Sequence, residues 1–272
     1  MSAQTITRRL TQADLAKLYQ AGEKIAQFTC YDASFARLLE SAGVDTLLIG
    51  DSLGNVIQGH DTTLPVSVAD IAYHTAAVKR GCERPFIVAD MPFGSYQESP
   101  AQAFRNAAAL LAAGAQMVKL EGGQEMAATV EFLVARGIPV CGHIGLTPQS
   151  VHALGGYKVQ GKGEAAAQRL KSDAQALKAA GATMLLIEAI PAALAAELTT
   201  LVGIITIGIG AGKDCSGQVM VLHDAFDIPP GKKAKFVKNF MDGASSIHDA
   251  ACRAVAAVKD GSYPGPEHTY AG

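Results

Sequence analysis

Carboxylates recur directly after apolar runs in this chain. The runs TLLIGD, FIVAD, MVKLE and MLLIE end in Asp51, Asp90, Glu121 and Glu188. A carboxylate at the end of a buried run must be paired, protonated or metal-bound to offset its lost hydration. Charged residues also mark strand ends simply because the chain meets water there, but their repetition favours a shared functional site.

The donor chemistry of these positions points to a hard cation. Oxygen donors without thiolates suit Mg2+, which commonly takes one or two protein carboxylates and fills its other positions with water and substrate oxygens. We therefore predict Asp51 and Asp90 as metal ligands, with Glu121 bound directly or through water. The full set of polar run ends is Asp32, Asp51, Asp90, Glu121, His143, Glu188, the turn at 208–212, His223 and Asp224.

Lys119 lies two residues before Glu121, a spacing that places both side chains on one face of a strand. There Lys119 could contact a substrate carboxylate or a developing enolate. A structural salt bridge is one alternative. A Schiff-base nucleophile is disfavoured because nothing nearby in the sequence would obviously activate the amine. His143 could be a metal ligand, a substrate donor or a core histidine.

The candidate residues belong to a repeating strand–helix unit. Six glycines each precede a short apolar run, as expected where a helix ends in a left-handed residue and a strand follows. With the runs at 25–32 and 219–224, the chain has eight such strands, each too continuously apolar for a sheet with one wet face. The glycines are Gly43, Gly81, Gly114, Gly137, Gly181 and Gly203.

Eight strands that alternate with helices predict an α/β fold, a single (β/α)8 TIM barrel over residues 1–272. A doubly wound sheet usually has fewer strands and a dinucleotide-type glycine turn after the first. An extra N-terminal helix, which begins at a capping box of Thr11 and Asp14, should cover the barrel bottom. Strands seven and eight are joined by a segment too short and glycine-rich for a clear helix. Further helices are predicted at 68–80, 99–113, 164–180, near 235–241 and at 247–259.

A parallel barrel collects the C-terminal ends of its strands at one mouth, so the polar residues should meet there. Two long glycine-containing segments, 51–65 and 143–163, are predicted to cover that mouth, with disordered surface loops as the alternative. The turn GIGAG at 208–212 either binds an anion or permits tight packing.

Charge and cysteine usage exclude several classes of function. The net charge is −2, and no stretch concentrates Lys and Arg as a nucleic-acid or anionic-membrane surface requires. The five cysteines lie far apart without a CxxC, so neither a disulfide framework nor a thiolate zinc site is indicated. The N-terminus lacks the apolar segment of a signal peptide and is read as folded. We expect a cytoplasmic protein that acts on small molecules.

Six motifs together resemble the ketopantoate hydroxymethyltransferase family. The similarity runs from Ile25 to the segment HDAFDIPPGKKAKFVKNF, within which DIPP at 227–230 replaces the more usual glycine-containing turn. This departure concerns only local loop shape. The resemblance implies a barrel of the phosphoenolpyruvate/pyruvate type that assembles into homodecamers. The motifs are IGDSLGNVIQGHDTTLPV, ADMPFGSY, MVKLEGG, CGHIGLTPQS, GGYKVQGKG and IGIGAG.

The resemblance implies transfer of a hydroxymethyl group from 5,10-methylenetetrahydrofolate to 3-methyl-2-oxobutanoate, which gives 2-dehydropantoate for pantothenate biosynthesis. Chelation of a 2-oxo acid by Mg2+ acidifies its C3 hydrogen and stabilises the enolate. Other readings are a metal-dependent lyase of 2-oxo or 2-hydroxy acids, a Schiff-base aldolase and a silent metabolite-binding protein. The implied roles are Mg2+ ligands at Asp51, Asp90 and Glu121, substrate contacts at Asp51, Ser52, Asp90 and Lys119, and a proton acceptor at Glu188.

Overall fold

Eight parallel strands pair in chain order and close into a barrel, with β8 returning to β1. The structure is a computed structural model that describes residues 8–228 and 233–271. The predicted TIM barrel is confirmed. The strands are β1 (Ile25–Thr29), β2 (Thr46–Ile49), β3 (Phe86–Asp90), β4 (Met117–Glu121), β5 (Val140–Gly145), β6 (Met184–Glu188), β7 (Ile205–Ile209) and β8 (Gly217–Met220).

Helices surround the barrel, and those predicted at 68–80, 99–113, 164–180 and 247–259 are confirmed to within one residue at each end. The connection from β7 to β8 forms no helix, as predicted. The helices are α1 (Gln12–Gln20), α2 (Ala33–Ser41), α3 (Leu53–Val56), α4 (Val68–Gly81), α5 (Pro100–Ala113), α6 (Ala127–Val134), α7 (Val151–Leu154), α8 (Glu164–Ala179), α9 (Ala192–Val202), α10 (Leu222–Ala225) and α11 (Ile247–Lys259).

The extra helix α1 covers the bottom of the barrel, where the strands begin. The Thr11 hydroxyl accepts from the Asp14 backbone N–H at 3.3 Å, and the Asp14 carboxylate accepts from the Thr11 N–H at 2.9 Å. This reciprocal capping box satisfies two free donors of the first turn. Leu10 and Leu15 are fully buried in the same apolar cluster as Ile25 of β1. The predicted N-terminal helix is therefore confirmed.

Alternation along the strands divides their side chains between two apolar cores. In β6, Leu185 and Ile187 pack outward against the helices. Met184 and Leu186 belong to the inner cluster that fills the barrel. The next residue of the inward series is Glu188, so the register itself aims this carboxylate at the barrel mouth.

Three sequence expectations are wrong in detail. The strand predicted at 219–224 ends at Met220, and the residues that follow form α10. The first strand ends at Thr29, because Asp32 instead caps α2. Residues 235–241 form no helix, since their backbone groups bond elsewhere: the Phe240 N–H donates to Ala225 at 2.9 Å.

All five cysteines are free. Within the described ranges, no helix has both the length and the apolar character needed to cross a membrane. Residues 1–7 of the N-terminal segment and both prolines of the DIPP turn lie outside the described residues.

Candidate active site

The inner face of β4 carries two charged side chains. Val118 and Leu120 pack outward against the helices, so Lys119 and Glu121 share the inner face with Met117. Lys119 Nζ and Glu121 Oε1 approach the same atom, Nδ1 of His143 on β5, at 3.3 and 3.4 Å. The two-residue spacing therefore brought both groups to one point, as predicted.

A cavity of about 460 Å3 opens at the C-terminal ends of the strands. Of the polar residues predicted after the first and last strands, Asp224 lines this cavity, whereas Asp32 and His223 do not. Asp32 is exposed and accepts from the N–H groups of Ser34 and Phe35 at the start of α2. Asp32 and His223 therefore leave the predicted ring of polar residues. The predicted site residues that line the cavity are Asp51, Ser52, Asp90, Lys119, Glu121 and Glu188.

Asp90 and Lys119 form a buried ion pair in which Oδ1 and Nζ are 2.5 Å apart. Asp90 Oδ2 also accepts from the Asp51 backbone N–H at 2.9 Å. Burial lowers the pKa of Lys119, but the charges of Asp90, Glu121 and Asp51 outweigh it and raise that pKa. A protonated, paired ammonium is a poor Schiff-base nucleophile, so an electrostatic role suits Lys119 better.

Gln149 links two of the candidate metal ligands, and the sequence reading missed it. Its Nε2 donates to Asp51 Oδ2 at 2.8 Å, and its backbone N–H donates to Glu121 Oε2 at 2.9 Å. Its Oε1 accepts from the Tyr96 hydroxyl at 2.7 Å. Gln149 thus occupies one oxygen of each carboxylate. The motif HIGLTPQS contains it, but a sequence does not show that a loop amide is buried.

The carboxylates are crowded with like charge. Burial raises the pKa of Asp51 to about 6, and the neighbouring Glu121 adds to the shift. Burial raises the pKa of Asp90 to about 6 and that of Glu121 to about 7, although Lys119 opposes both shifts. Groups that resist ionisation in this way would be stabilised as anions by a divalent cation.

The donor set fits such a cation. Asp51 and Asp90 are adjacent through a backbone hydrogen bond, and Glu121 Oε1 receives no hydrogen bond from any described residue. No three His, Cys, Asp or Glu side chains among residues 8–228 and 233–271 stand close enough to complete a metal cage. Few protein ligands and several waters or substrate oxygens are the usual arrangement for Mg2+.

His143 lies between two groups of charged side chains, with Lys119 and Glu121 on one side of the ring and Glu188 on the other. Its Nε2 is 3.2 Å from Glu188 Oε2, and its Nδ1 pairs with the Lys119 ammonium. Burial and the nearby Lys119 charge lower the pKa of His143, which favours a neutral ring. Because an ammonium can only donate, Nδ1 is assigned as the acceptor and the ring proton is assigned to Nε2, which lies 3.2 Å from Glu188 Oε2 without hydrogen-bond geometry. This favours an orienting role over metal ligation.

The backbone around Glu188 is tied to its neighbours. The Glu188 carbonyl accepts from the Leu146 N–H at 2.8 Å. Ala189, which follows, has φ of +46° and donates its N–H to Ile209 of β7 at 2.9 Å. A left-handed non-glycine residue is held only by surrounding structure, and such residues cluster at functional sites. The Glu188 side chain itself is 15% exposed, so it reaches the cavity.

Ser52 and the two long segments complete the wall. The Ser52 hydroxyl is 2.8 Å from the Tyr31 hydroxyl. The segments 51–65 and 143–163 contribute Val56 and Tyr157 among other wall residues, and they contain the short helices α3 and α7. The alternative of disordered surface loops is therefore wrong, whereas closure over a substrate stays a prediction.

The chain is similar to known proteins in both sequence and fold. A family model for ketopantoate hydroxymethyltransferase matches residues 9–266. A 3-methyl-2-oxobutanoate hydroxymethyltransferase from Dechloromonas aromatica (strain RCB) is 89% identical over 270 residues, which cover 99% of each chain. One from Azoarcus sp. (strain BH72) is 64% identical and covers 96% of this chain and 97% of its own. Phosphonopyruvate hydrolase in complex with oxalate and Mg2+ shares the fold, with a TM-score of 0.60, 15% identity and coverage of 78% of this chain and 81% of its own.

Proposed function

Because this chain belongs to the ketopantoate hydroxymethyltransferase family, we propose that its barrel mouth converts 3-methyl-2-oxobutanoate to 2-dehydropantoate with Mg2+ and 5,10-methylenetetrahydrofolate. The chain is a hydroxymethyltransferase of pantothenate biosynthesis. The assignment of individual residues to the metal, the substrate and the proton is our proposal.

One observation supports the residue roles above all others. Glu188 ends β6, and the loop that carries Asp51 follows β2, four strands away in a closed ring of eight. The two carboxylates therefore face each other across the cavity. A reaction that breaks a C–H bond beside a polarised ketone needs this separation of the polarising group from the base.

Asp51 and Asp90 would hold Mg2+, with Glu121 ligating directly or through water. When bound, the ion supplies Lewis-acid polarisation of the 2-oxo acid. Ser52 and Lys119 contact the substrate, and the Lys119 charge lies close to where the enolate oxygen develops.

Glu188 removes the C3 proton, and the electron pair of the C–H bond stays on the substrate as the enolate. The His143 ring, whose Nε2 lies 3.2 Å from Glu188 Oε2, would position this carboxylate by contact. The enolate pair then forms a carbon–carbon bond to the one-carbon unit of the folate as one of the two C–N bonds of that carbon breaks, and a water oxygen replaces the second nitrogen as the hydroxyl of the product. The two released nitrogens take up the C3 proton held by Glu188 and one proton of the water, so tetrahydrofolate leaves.

The test is turnover of 3-methyl-2-oxobutanoate with methylenetetrahydrofolate and Mg2+, with and without a chelator. We expect 2-dehydropantoate to form, and its formation to stop with chelator and resume when Mg2+ is restored. Release of pyruvate or glyoxylate without folate would instead indicate a lyase. Chelator-insensitive activity with borohydride trapping at Lys119 would indicate an aldolase.

The family resemblance also supports a cytoplasmic homodecamer in which residues 1–272 form one domain. Light scattering on the purified protein measures the assembly directly, and we expect the mass of ten chains. A monomer at working concentration would refute this part of the proposal and leave the chemistry untouched.

A further inference from the structure

The barrel mouth has a polar half and an apolar half. Strands β3, β4 and β5 contribute Asp90, Lys119 and His143 to the polar half. On the other side, Ile209 at the end of β7 and Val219 of β8 line the same cavity, with Asp224 of α10 beside them. Glu188 of β6 lies between the two halves. Under the proposed function, the 2-oxo acid contacts the polar half.

Two aromatic rings lie on the apolar half, and we call Phe236 and Tyr270 the aromatic shelf. Both line the cavity. Phe236 packs against the inner apolar cluster that contains Ile209 and Val219. The aromatic shelf therefore extends the apolar wall that Ile209 and Val219 form.

The GIGAG turn at 208–212 allows both rings to pack closely against the end of β7. A Cβ at Gly210, whose φ is +61°, would come within 2.7 Å of Phe236 Cδ1 and 3.2 Å of Tyr270 Cε2. Any larger residue would push both rings away from the end of β7. The sequence predicted either anion binding or tight packing for this turn. Tight packing at Gly210 is what sets the position of the aromatic shelf.

The backbone on either side of the shelf is fixed. The Phe236 carbonyl accepts from the Tyr263 hydroxyl at 2.8 Å, and the Tyr270 carbonyl accepts from the Ala192 N–H at 3.1 Å. These bonds fix the backbone beside both rings from outside the cavity, and Lys235 Nζ lies over one face of Tyr270, 5.6 Å from the ring centroid. Preorganised aromatic surfaces of this kind suit flat partners.

The shelf is close to the base. Tyr270 and Glu188 line the same cavity, and burial together with the charge of Glu188 raises the pKa of Tyr270. The Ala189 N–H also donates to the Ile209 carbonyl, so the backbone directly after Glu188 is hydrogen-bonded to the end of β7 in the apolar half. A ligand on the shelf would have its edge beside the atom that Glu188 deprotonates.

We propose that the aromatic shelf of Phe236 and Tyr270 binds the flat heterocycle of the one-carbon donor and presents its transferable carbon at the boundary marked by Glu188. This inference rests on the proposed function, which requires a second reactant beside the enolate. A cavity of about 460 Å3 is in the range that encloses a drug-sized ligand, well beyond a five-carbon acid. Stacking on an aromatic side chain contributes about 1–3 kcal/mol per base, which corresponds to roughly 5- to 150-fold in affinity.

The experiment compares Phe236→Leu and Tyr270→Leu with the ring-preserving Tyr270→Phe. We expect each leucine variant to raise the KM for methylenetetrahydrofolate about tenfold or more and to weaken calorimetric binding of tetrahydrofolate. The KM for 3-methyl-2-oxobutanoate should stay within about twofold, and Tyr270→Phe should restore folate binding. Phe93→Leu is the matched control, because Phe93 is an exposed aromatic outside the cavity.

Exchange of the C3 hydrogen into heavy water without folate separates this inference from the proposed function. Normal exchange with a raised folate KM supports the shelf. An unchanged folate KM in both leucine variants would overturn it and point to Tyr157, another aromatic residue that lines the cavity. Parallel loss of exchange and of oxo-acid binding would also overturn it, since the shelf would then be a structural element. Absence of exchange in the unmodified enzyme would instead contradict the proposed function.

Discussion

Two buried aspartates only six positions apart in the sequence lie in opposite environments. Asp45, at the bottom of the barrel, accepts from the Ala26 N–H at 3.0 Å and pairs with Lys259 at 2.5 Å and with Arg84 at 3.4 Å. Asp51, at the mouth, has the amide of Gln149 and the like charge of Glu121 as neighbours. Both side chains are almost completely buried.

The two aspartates differ in whether the surrounding protein compensates their charge, and this distinguishes a buried carboxylate that stabilises the fold from one that serves a site. At the bottom, two cations and a backbone donor match one carboxylate, so the charge is already compensated. At the mouth, three carboxylates are gathered around Lys119, and negative charge is in excess. A protein that collects uncompensated carboxylates in a cavity has room for a cation that is not part of the chain.

The largest effect should come from replacing a carboxylate in each region. We expect Asp51→Asn or Asp90→Asn to weaken Mg2+ binding and nearly abolish turnover, because one anionic ligand fewer cannot hold a largely hydrated ion. Asp45→Asn should keep the Mg2+ affinity and lose stability, by about 3 kcal/mol or less because Lys259 and Arg84 are partly solvated. Magnesium calorimetry and urea unfolding measure the two effects, and unchanged metal affinity in both mouth variants would refute the ligand assignment.

A substitution at Glu188 tests whether the carboxylates at the mouth have two separate roles, with some binding the metal and Glu188 accepting the proton. Glu188→Gln preserves the shape and removes the base, so kcat should fall about 10²- to 10⁴-fold while Mg2+ and oxo-acid binding persist. Folate-independent exchange of the C3 hydrogen should disappear as well. If exchange stays near normal while turnover is lost, Glu188 acts later in the reaction and another group takes the proton.

The two lysine–aspartate pairs, Lys119–Asp90 at the mouth and Lys259–Asp45 at the bottom, offer the next comparison. Lys119→Ala should raise the KM for the oxo acid about 10- to 100-fold, as expected for a lost charged hydrogen bond. Lys259→Ala should leave that KM unchanged and lower only the stability. Unaltered oxo-acid binding with a large loss of thermal stability in Lys119→Ala would show that its ion pair with Asp90 is purely structural.

The smallest effect is expected for two glutamines, the buried Gln149 at the mouth and the half-buried Gln116 at the bottom. Gln116 bridges backbone groups at the bottom, where its amide contacts Leu10 at 2.7 Å and Ile87 at 3.1 Å. Gln149→Leu should weaken Mg2+ binding about tenfold, because it no longer orients Asp51 and Glu121. Gln116→Leu should cost stability and leave the metal affinity unchanged. Equal metal affinity in both variants would remove Gln149 from the metal environment.

The sequence could predict what depends on local pattern. The apolar runs and their alternation were enough to place Lys119, Glu121 and Glu188 inside a parallel barrel, because strand geometry alone decides the face. Asp32 was misplaced because a carboxylate after an apolar run can equally cap the next helix. Sequence pattern alone could not distinguish these two uses.

Contacts across the barrel could not be predicted in the same way. Gln149 reaches Asp51 from 98 positions away, and no periodicity relates the two. The wrong helix at 235–241 has a similar origin, since Phe236 and Phe240 are apolar at helical spacing but belong to the cavity and to the core. Tertiary packing overrode the local pattern at these positions.

The bond between the Leu146 N–H and the Glu188 carbonyl joins segment 143–163, directly after β5 ends, to the backbone of the proposed base. A Cβ at Gly145 would lie 2.2 Å from that same carbonyl, so the two strand ends are in direct contact. The predicted movement of segment 143–163 would break this bond and leave the Glu188 backbone held only by its β7 partner. An open mouth would then also be one in which the base is less firmly positioned, so substrate entry and proton abstraction would belong to different states of the same segment.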